Sequence, residues 1–225
     1  MNRGPGFHPP HVKCIPYGPN AWLLYFSDEV GDAAYERGRA IALELESNPP
    51  EGLREYVLAY TSVLLIFGEP NVKHHHRPIE QVVAQLEKVA KRKLKAAPIK
   101  EIPVRYDGED LERVASHTGL SKEEVMRLHS GTIYKVYMLG FAPGFPYLGE
   151  LDARLHTPRL ESPRPTVPAG SVAIGGEHTG VYSIPNPGGW NLIGSTDVKL
   201  FEPDPPAEET EFYLQAGDRV RFVVN

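Results

Sequence analysis

Cysteine is nearly missing from this chain of 225 residues: Cys14 stands alone, so no internal disulfide can form. No apolar run approaches the roughly 20 residues a membrane-crossing helix needs, and residues 1–11 lack the charged start and apolar core of a secretory signal. Together these absences predict a cytoplasmic protein without membrane attachment. An excess of positive charge is missing as well. Lys and Arg number 24 against 29 Asp and Glu, a net charge of −5, which argues against a protein that coats nucleic acid. The closing Lys-Ser/Thr of a phosphate loop, the Gly-x-Ser-x-Gly elbow of a serine hydrolase and the His-Glu-x-x-His zinc helix are all absent. Gly175 to Gly180 has the glycine spacing of a phosphate loop but continues into Val181-Tyr182, so it reads as a β-turn segment lining a shared site.

Proline and glycine are abundant instead, 22 and 21 residues, and the segment from Tyr134 to Thr196 holds them in two phrases. One is Gly140-Phe-Ala-Pro-Gly-Phe-Pro-Tyr147; the other runs from Val167-Pro-Ala-Gly-Ser171 to Pro187-Gly-Gly-Trp190. Glycine permits positive φ and close backbone approach, whereas proline fixes φ and removes a donor, so their alternation predicts stiff loops that present backbone to a ligand. Phe141, Phe145, Tyr147, Tyr182 and Trp190 punctuate them, which predicts a groove with apolar walls and backbone donors. A plain β-barrel with Gly- and Pro-rich turns is the bland alternative.

Before that segment, residues 21–26 read as an aromatic-rich strand, and Ser27-Asp28 offers an N-cap for a helix to about residue 46. Asn48-Pro-Pro-Glu-Gly52 ends it. Residues 56–60 and 62–67 have the composition of two strands joined near Thr61, or of one bulged strand. Apolar residues at helical spacing from Ile79 to Ala90 predict a second helix over 78–94. The order β, α, β, β, α is that of a ferredoxin-like or related α+β domain over residues 1–95. From 96 to 225 a strand at 99–106 precedes helices at 109–118 and 121–129, the second with the capping box Ser121-x-x-Glu124 and the first closed by Gly119. Strands are predicted at 132–139, 170–174, 181–184, 192–194 and 219–224, a mainly β barrel or sandwich. His74-His75-His76 lacks metal-ligand spacing and reads as a solvated turn, and Cys14, unpaired with any base motif, as an ordinary thiol.

The run from His129-Ser130 through Tyr134 to Leu148, with Pro158-Arg159, Pro163-Arg164, Val167-Pro-Ala-Gly-Ser171, Thr179-Gly180-x-Tyr182 and Pro187-Gly-Gly-Trp190, resembles the KipI and allophanate hydrolase subunit 1 family. Gly18 to Phe26 and Val57 to Phe67 extend the likeness over nearly the whole chain. The resemblance implies an α+β N-terminal domain followed by a cyclophilin-like β-barrel. It also implies a part in ATP-dependent 5-oxoprolinase, which opens the lactam 5-oxoproline to glutamate using its A, B and C subunits, with ATP and Mg shared between partners. A KipI-like inhibitor of a histidine kinase and an allophanate- or urea-carboxylase-related component are the other roles the family implies. This chain departs from the family at His178 (commonly Gln), Glu150 (often Gly) and Ser195-Thr196-Asp197 (Arg-Thr-Pro).

Activating a stable amide needs donors for anionic oxygens and a proton shuttle. Arg159 and Arg164, each after a proline, are candidates for carboxylate or phosphate recognition, and His129 for proton transfer; surface arginines and a hydrogen-bonded structural histidine are the alternatives. Gly140, Phe141, Pro143, Gly144, Phe145, Tyr147, Pro168, Ala169, Gly170, Ser171, Tyr182, Pro187, Gly188, Gly189 and Trp190 are the residues expected to shape the substrate groove. No metal ligands are expected, and homo-oligomer formation is left open.

Overall fold

The computed structural model describes residues 12–68, 79–91, 95–205 and 211–225, divided into two compact units between Lys95 and Ala96. The histidine run 74–76 lies outside the described residues, as do residues 206–210.

Among the described residues of the first unit, strands β1 (Lys13–Pro16), β2 (Ala21–Tyr25), β3 (Leu53–Leu58) and β4 (Ser62–Phe67) form an antiparallel sheet in the order β1-β2-β4-β3. Helices α1 (Asp32–Ser47) and α2 (Ile79–Val89) accompany it. Alternation sends Leu24, Val63, Leu65 and Leu58 into the core, where α1 contributes Ala34, Ile41 and Leu45 and α2 contributes Val82, Leu86 and Val89. The pair at 53–67 is two strands, closed by Ala59 N donating to Ser62 O at 2.8 Å. Two sequence expectations give way. Strand β1, paired Lys13↔Tyr25 through Pro16↔Trp22, was hidden because four residues carry no periodic signal. Ser27 caps nothing: its hydroxyl donates to Glu29 O and α1 begins after Gly31. The mixed α+β content holds, but the outer strand beside β2 comes ahead of it in the chain, so the β, α, β, β, α order alone misses one strand of the sheet.

Among its described residues the second unit builds a seven-stranded mixed sheet, in the order β12-β9-β10-β7-β6-β13-β5. These are β5 (Ile99–Val104), β6 (Ile133–Leu139), β7 (Pro146–Gly149), β9 (Ser171–Gly175), β10 (His178–Val181), β12 (Asn191–Ser195) and β13 (Arg219–Val224). Only β13 and β5 run parallel within that order, and the edges nearly close: Arg105 and Ser195 exchange N–H···O bonds of 2.9 and 2.7 Å. One apolar cluster draws on all seven strands, from Ile102, Tyr134 and Leu148 to Ile174, Val181, Ile193 and Phe222, so it fills the barrel interior. Helices α3 (Leu111–Thr118) and α4 (Lys122–Ser130) add Val114 and Val125 to it. The Ser121/Glu124 capping box forms in full and Gly119 closes α3 at φ 71°. A separate two-stranded ribbon pairs β8 (Arg164–Val167) with β11 (Asn186–Gly188). Sequence reading missed β7, β8 and β11, which lie in or between the Gly/Pro phrases, and set β10 too late: it ends at Val181, where a strand was expected to begin. No helix among the described residues is long and apolar enough to cross a membrane.

Candidate functional site

Strand alternation puts Val172, Ile174 and Ile193 inside the barrel and Ala173 and Leu192 on its outer wall. A second apolar cluster grows there from Phe145, Tyr182 and Trp190, with Ala142, Val167 and partly buried Tyr147. Phe145, 2% exposed, is its hub, with its ring 5.3–5.5 Å from those of Phe141, Tyr147, Tyr182 and Trp190 in edge-to-face pairs. Such pairing suits the aromatic quadrupole. Beside the hub opens a cavity of about 300 Å³, lined by Phe141, Phe145, Tyr147, Tyr182, Trp190, Arg159, Pro163 and the Pro187-Gly-Gly189 turn.

Glycines make this packing possible. A Cβ at Gly175 would lie 2.6 Å from atoms of the Trp190 indole, and one at Gly180 would lie 3.2 Å from the same ring and 2.9 Å from Pro146 O. The phosphate-loop spacing of Gly175 to Gly180 is therefore a seat for an indole. At the rim Phe141 takes φ 69° and is 60% exposed, a left-handed backbone uncommon for a non-glycine residue.

The remaining glycine and proline candidates shape loops without lining the cavity. Gly140 N donates to Phe145 O, Pro143 O accepts the Ser183 hydroxyl, and Gly144 packs against Phe201 and Leu200. Pro168 to Ser171, including Ala169, forms the turn into β9: Gly170 N donates to Tyr182 O, and a Cβ there would collide with Thr196 O. The expectation that these bends aim their donors at a ligand is corrected, because the N–H groups of Gly140, Phe145, Gly170 and Ser171 are spent on the fold itself.

The three candidate polar residues separate sharply. His129 is fully buried among barrel-interior residues, stacked on Phe222 at 4.5 Å. Its Nδ1 lies 2.8 Å from Tyr106 Oη and its Nε2 2.8 Å from Thr179 Oγ1. Thr179 Oγ1 donates to Ala173 O, so it accepts from Nε2–H, and Tyr106 donates to Nδ1: a neutral imidazole with both nitrogens satisfied. Burial pulls its pKa down to about 3. Arg164 is consumed as well. Its Nη2 binds both Asp110 oxygens at 2.9 and 2.7 Å, its Nε pairs with Glu109 at 2.6 Å, and its Nη1 donates to Trp190 O. Neither residue lines the cavity. Arg159 does, its guanidinium carbon 5.6 Å from the Trp190 ring centroid, with no hydrogen-bond acceptor or acidic partner among the described residues. Sequence reading missed Asp110, which also accepts Leu192 N, and Asn191; nothing local to either marks it.

The departures from the family pattern also fall outside the lining. Ser195 and Asp197 sit at the barrel seam, where Arg105 pairs with Asp197 and Ser195 donates to Asp107. Glu150 holds a left-handed φ of 67° and accepts from Lys135 and Tyr137. His178 opens β10, its pKa lowered by burial against the opposing pull of Glu177.

The Gly175 to Gly180 segment is the turn of a β9–β10 hairpin, not the phosphate-cradling loop that opens a helix. Trp190 lies against its Gly175 and Gly180 while Gly176 at the turn has open space beside it, and among the described residues no group of three or more His, Cys, Asp or Glu is placed to hold a metal. Cys14 is half-buried and its thiol pKa is raised by burial and then by Glu80, which disfavours the thiolate.

The family model of the carboxyltransferase domain, subdomain C and D, matches residues 12–211, and this chain belongs to that family. It is 42% identical over 218 residues to the 5-oxoprolinase B subunit of Bacillus subtilis (strain 168), covering 92% of this chain and 90% of that protein. It is 56% identical over 126 residues to the 5-oxoprolinase B subunit of Escherichia coli O157:H7, covering 55% of this chain and 56% of the relative. The crystal structure of TTHA0988 superposes with a TM-score of 0.79 at 42% identity, over 91% of this chain but 40% of that one. K. lactis urea amidolyase, at 18% identity and a TM-score of 0.71, shares the fold over 15% of its own length.

Proposed function

We propose that this chain is the B subunit of a cytoplasmic, ATP-dependent 5-oxoprolinase, which converts 5-oxoproline to L-glutamate with the A and C subunits as partners, and that it has no turnover alone. In this reading the second unit is a cyclophilin-like barrel and the first a variant of the ferredoxin-like sandwich. The observation that carries the reading is Arg159, a cation laid on the face of Trp190 at a cavity wall with no acidic partner among the described residues. The kinship with proteins named as the B subunit of 5-oxoprolinase supports it.

5-Oxoproline is a small, nearly flat lactam ring bearing one carboxylate. The aromatic edges of Phe145, Tyr147 and Tyr182 offer the ring an apolar wall, and the Arg159 fork matches a carboxylate in two parallel bonds. Stacking on Trp190 confines the guanidinium and shields one of its faces from water, which strengthens a charge-assisted bond. The nucleotide and its metal are shared with the partner subunits in this reading. This chain's part is to bind the lactam, orient it and exclude water.

The test is to assemble the chain with its candidate partners, supply 5-oxoproline and ATP, and measure glutamate. Glutamate from the full assembly and none from the chain alone is expected. No glutamate from a verified, folded assembly rules against the enzyme. Within an active assembly, Arg159→Ala is expected to raise KM about tenfold or more, the worth of one charged bond.

A further inference from the structure

The side chain next to Trp190 ties the segment that carries Arg159 to the barrel wall. Asn191 is fully buried at the start of β12. Its Nδ2 donates to Pro158 O and to Ile174 O, both at 3.0 Å, and its Oδ1 accepts from Arg113 Nε at 2.8 Å. Those partners fix the amide's orientation, since a flipped amide would set its oxygen against two carbonyls. Pro158 immediately precedes Arg159. On the other side of it, Leu160 N donates to Gly189 O at 2.7 Å. The two residues flanking Arg159 are thus bonded to the two residues flanking Trp190, and this frame holds the arginine's backbone over the indole. A long side chain that must keep one geometry loses less entropy on binding when its root is fixed and it has a surface to lie on.

We propose that Asn191, braced by Arg113, is a positioning residue for ligand binding: it acts through Arg159 by holding residues 158–160 in register with Trp190, so that the guanidinium meets a carboxylate borne on a small ring. Asn191 itself touches no ligand, and Arg113 lies on the exposed face of α3. The proposal rests on the assignment of Arg159 to anion recognition, and the test separates the two.

The experiment is steady-state kinetics of the assembled enzyme with 5-oxoproline varied, using Asn191→Ala and Arg113→Ala, each made with Arg159 intact and in an Arg159→Ala background. With Arg159 present, Asn191→Ala is expected to raise KM about tenfold and Arg113→Ala about threefold, with kcat within about twofold, the signature of lost ground-state binding. With Arg159→Ala neither is expected to add more than about 1.5-fold, because residues acting through one group are not additive. The same factor in both backgrounds overturns the proposal and leaves Asn191 as ordinary packing. Should Asn191→Ala fail to fold, the exposed Arg113→Ala cycle decides by the same criterion. If Arg159→Ala raises KM while neither Arg113→Ala nor Asn191→Ala does, the positioning role alone falls. If Arg159→Ala leaves KM unchanged, the anion assignment falls and takes the positioning role with it.

Discussion

Acid should loosen this protein through His129. The imidazole is neutral because both nitrogens are already committed: Nδ1 accepts from Tyr106 and Nε2–H donates to Thr179, whose own hydroxyl is spent on Ala173 O. A second ring proton would meet the Tyr106 donor in a fully buried site, and burial accordingly holds the pKa at about 3 against an ordinary 6.5. The folded pKa lies below the unfolded one, so between those two values the unfolded chain binds a proton that the folded chain refuses. Stability therefore falls as pH drops below about 6.5, by about 1.4 kcal/mol per pH unit once well under that value. Between pH 7 and pH 5 the loss works out at about 2 kcal/mol, a sizeable share of a typical domain's stability. Urea unfolding of the wild type and of His129→Gln at both pH values reads this directly. The variant is expected to be less stable at pH 7 by about 2 kcal/mol, having lost buried hydrogen bonds, but to lose about 2 kcal/mol less than the wild type on moving to pH 5. Carboxylates and the other histidines titrate alike in both proteins and cancel in the difference. Equal pH dependence in the two proteins would show that His129 carries no acid penalty, and the buried neutral assignment would be wrong.

Arg164→Ala should destabilise the second unit by about 3 kcal/mol, because it strands the nearly buried Asp110 carboxylate; an unchanged urea midpoint would contradict the pairing. Gly175→Ala should displace Trp190, costing about 2 kcal/mol and red-shifting its emission, since the new methyl must overlap a rigid indole. Wild-type emission with wild-type stability would mean that the indole does not sit there. Phe141→Gly should leave stability within about 1 kcal/mol of wild type, as relief of left-handed strain offsets one exposed ring contact. A loss of several kcal/mol would show that the loop depends on the ring.

Family kinship and much of the local structure could be read from residues in a row. Ser121 and Glu124 make a capping box because both partners lie within one helical turn, and Gly119 stops α3 because a left-handed residue is needed there. The aromatic residues between the glycines were legible as cavity walls, since Phe145, Tyr147, Tyr182 and Trp190 are large apolar rings set among stiff Gly- and Pro-rich bends. Short strands buried in Gly and Pro were not legible: Pro146–Gly149 and Arg164–Val167 pair through backbone groups that every sequence possesses. The fate of each polar candidate was not legible either.

By itself the sequence determined the family, the helix caps and the aromatic character of the site, because each follows from residues near one another along the chain. Only the tertiary structure decided which polar group is free. Arg164 meets Asp110 across 54 positions and His129 meets Thr179 across 50, which silences both, while Arg159, alike in local sequence, finds among the described residues the face of Trp190 and no acidic partner. A charge or a buried donor takes whatever partner the fold brings within about 3 Å, and that distance is not written in the spacing of residues.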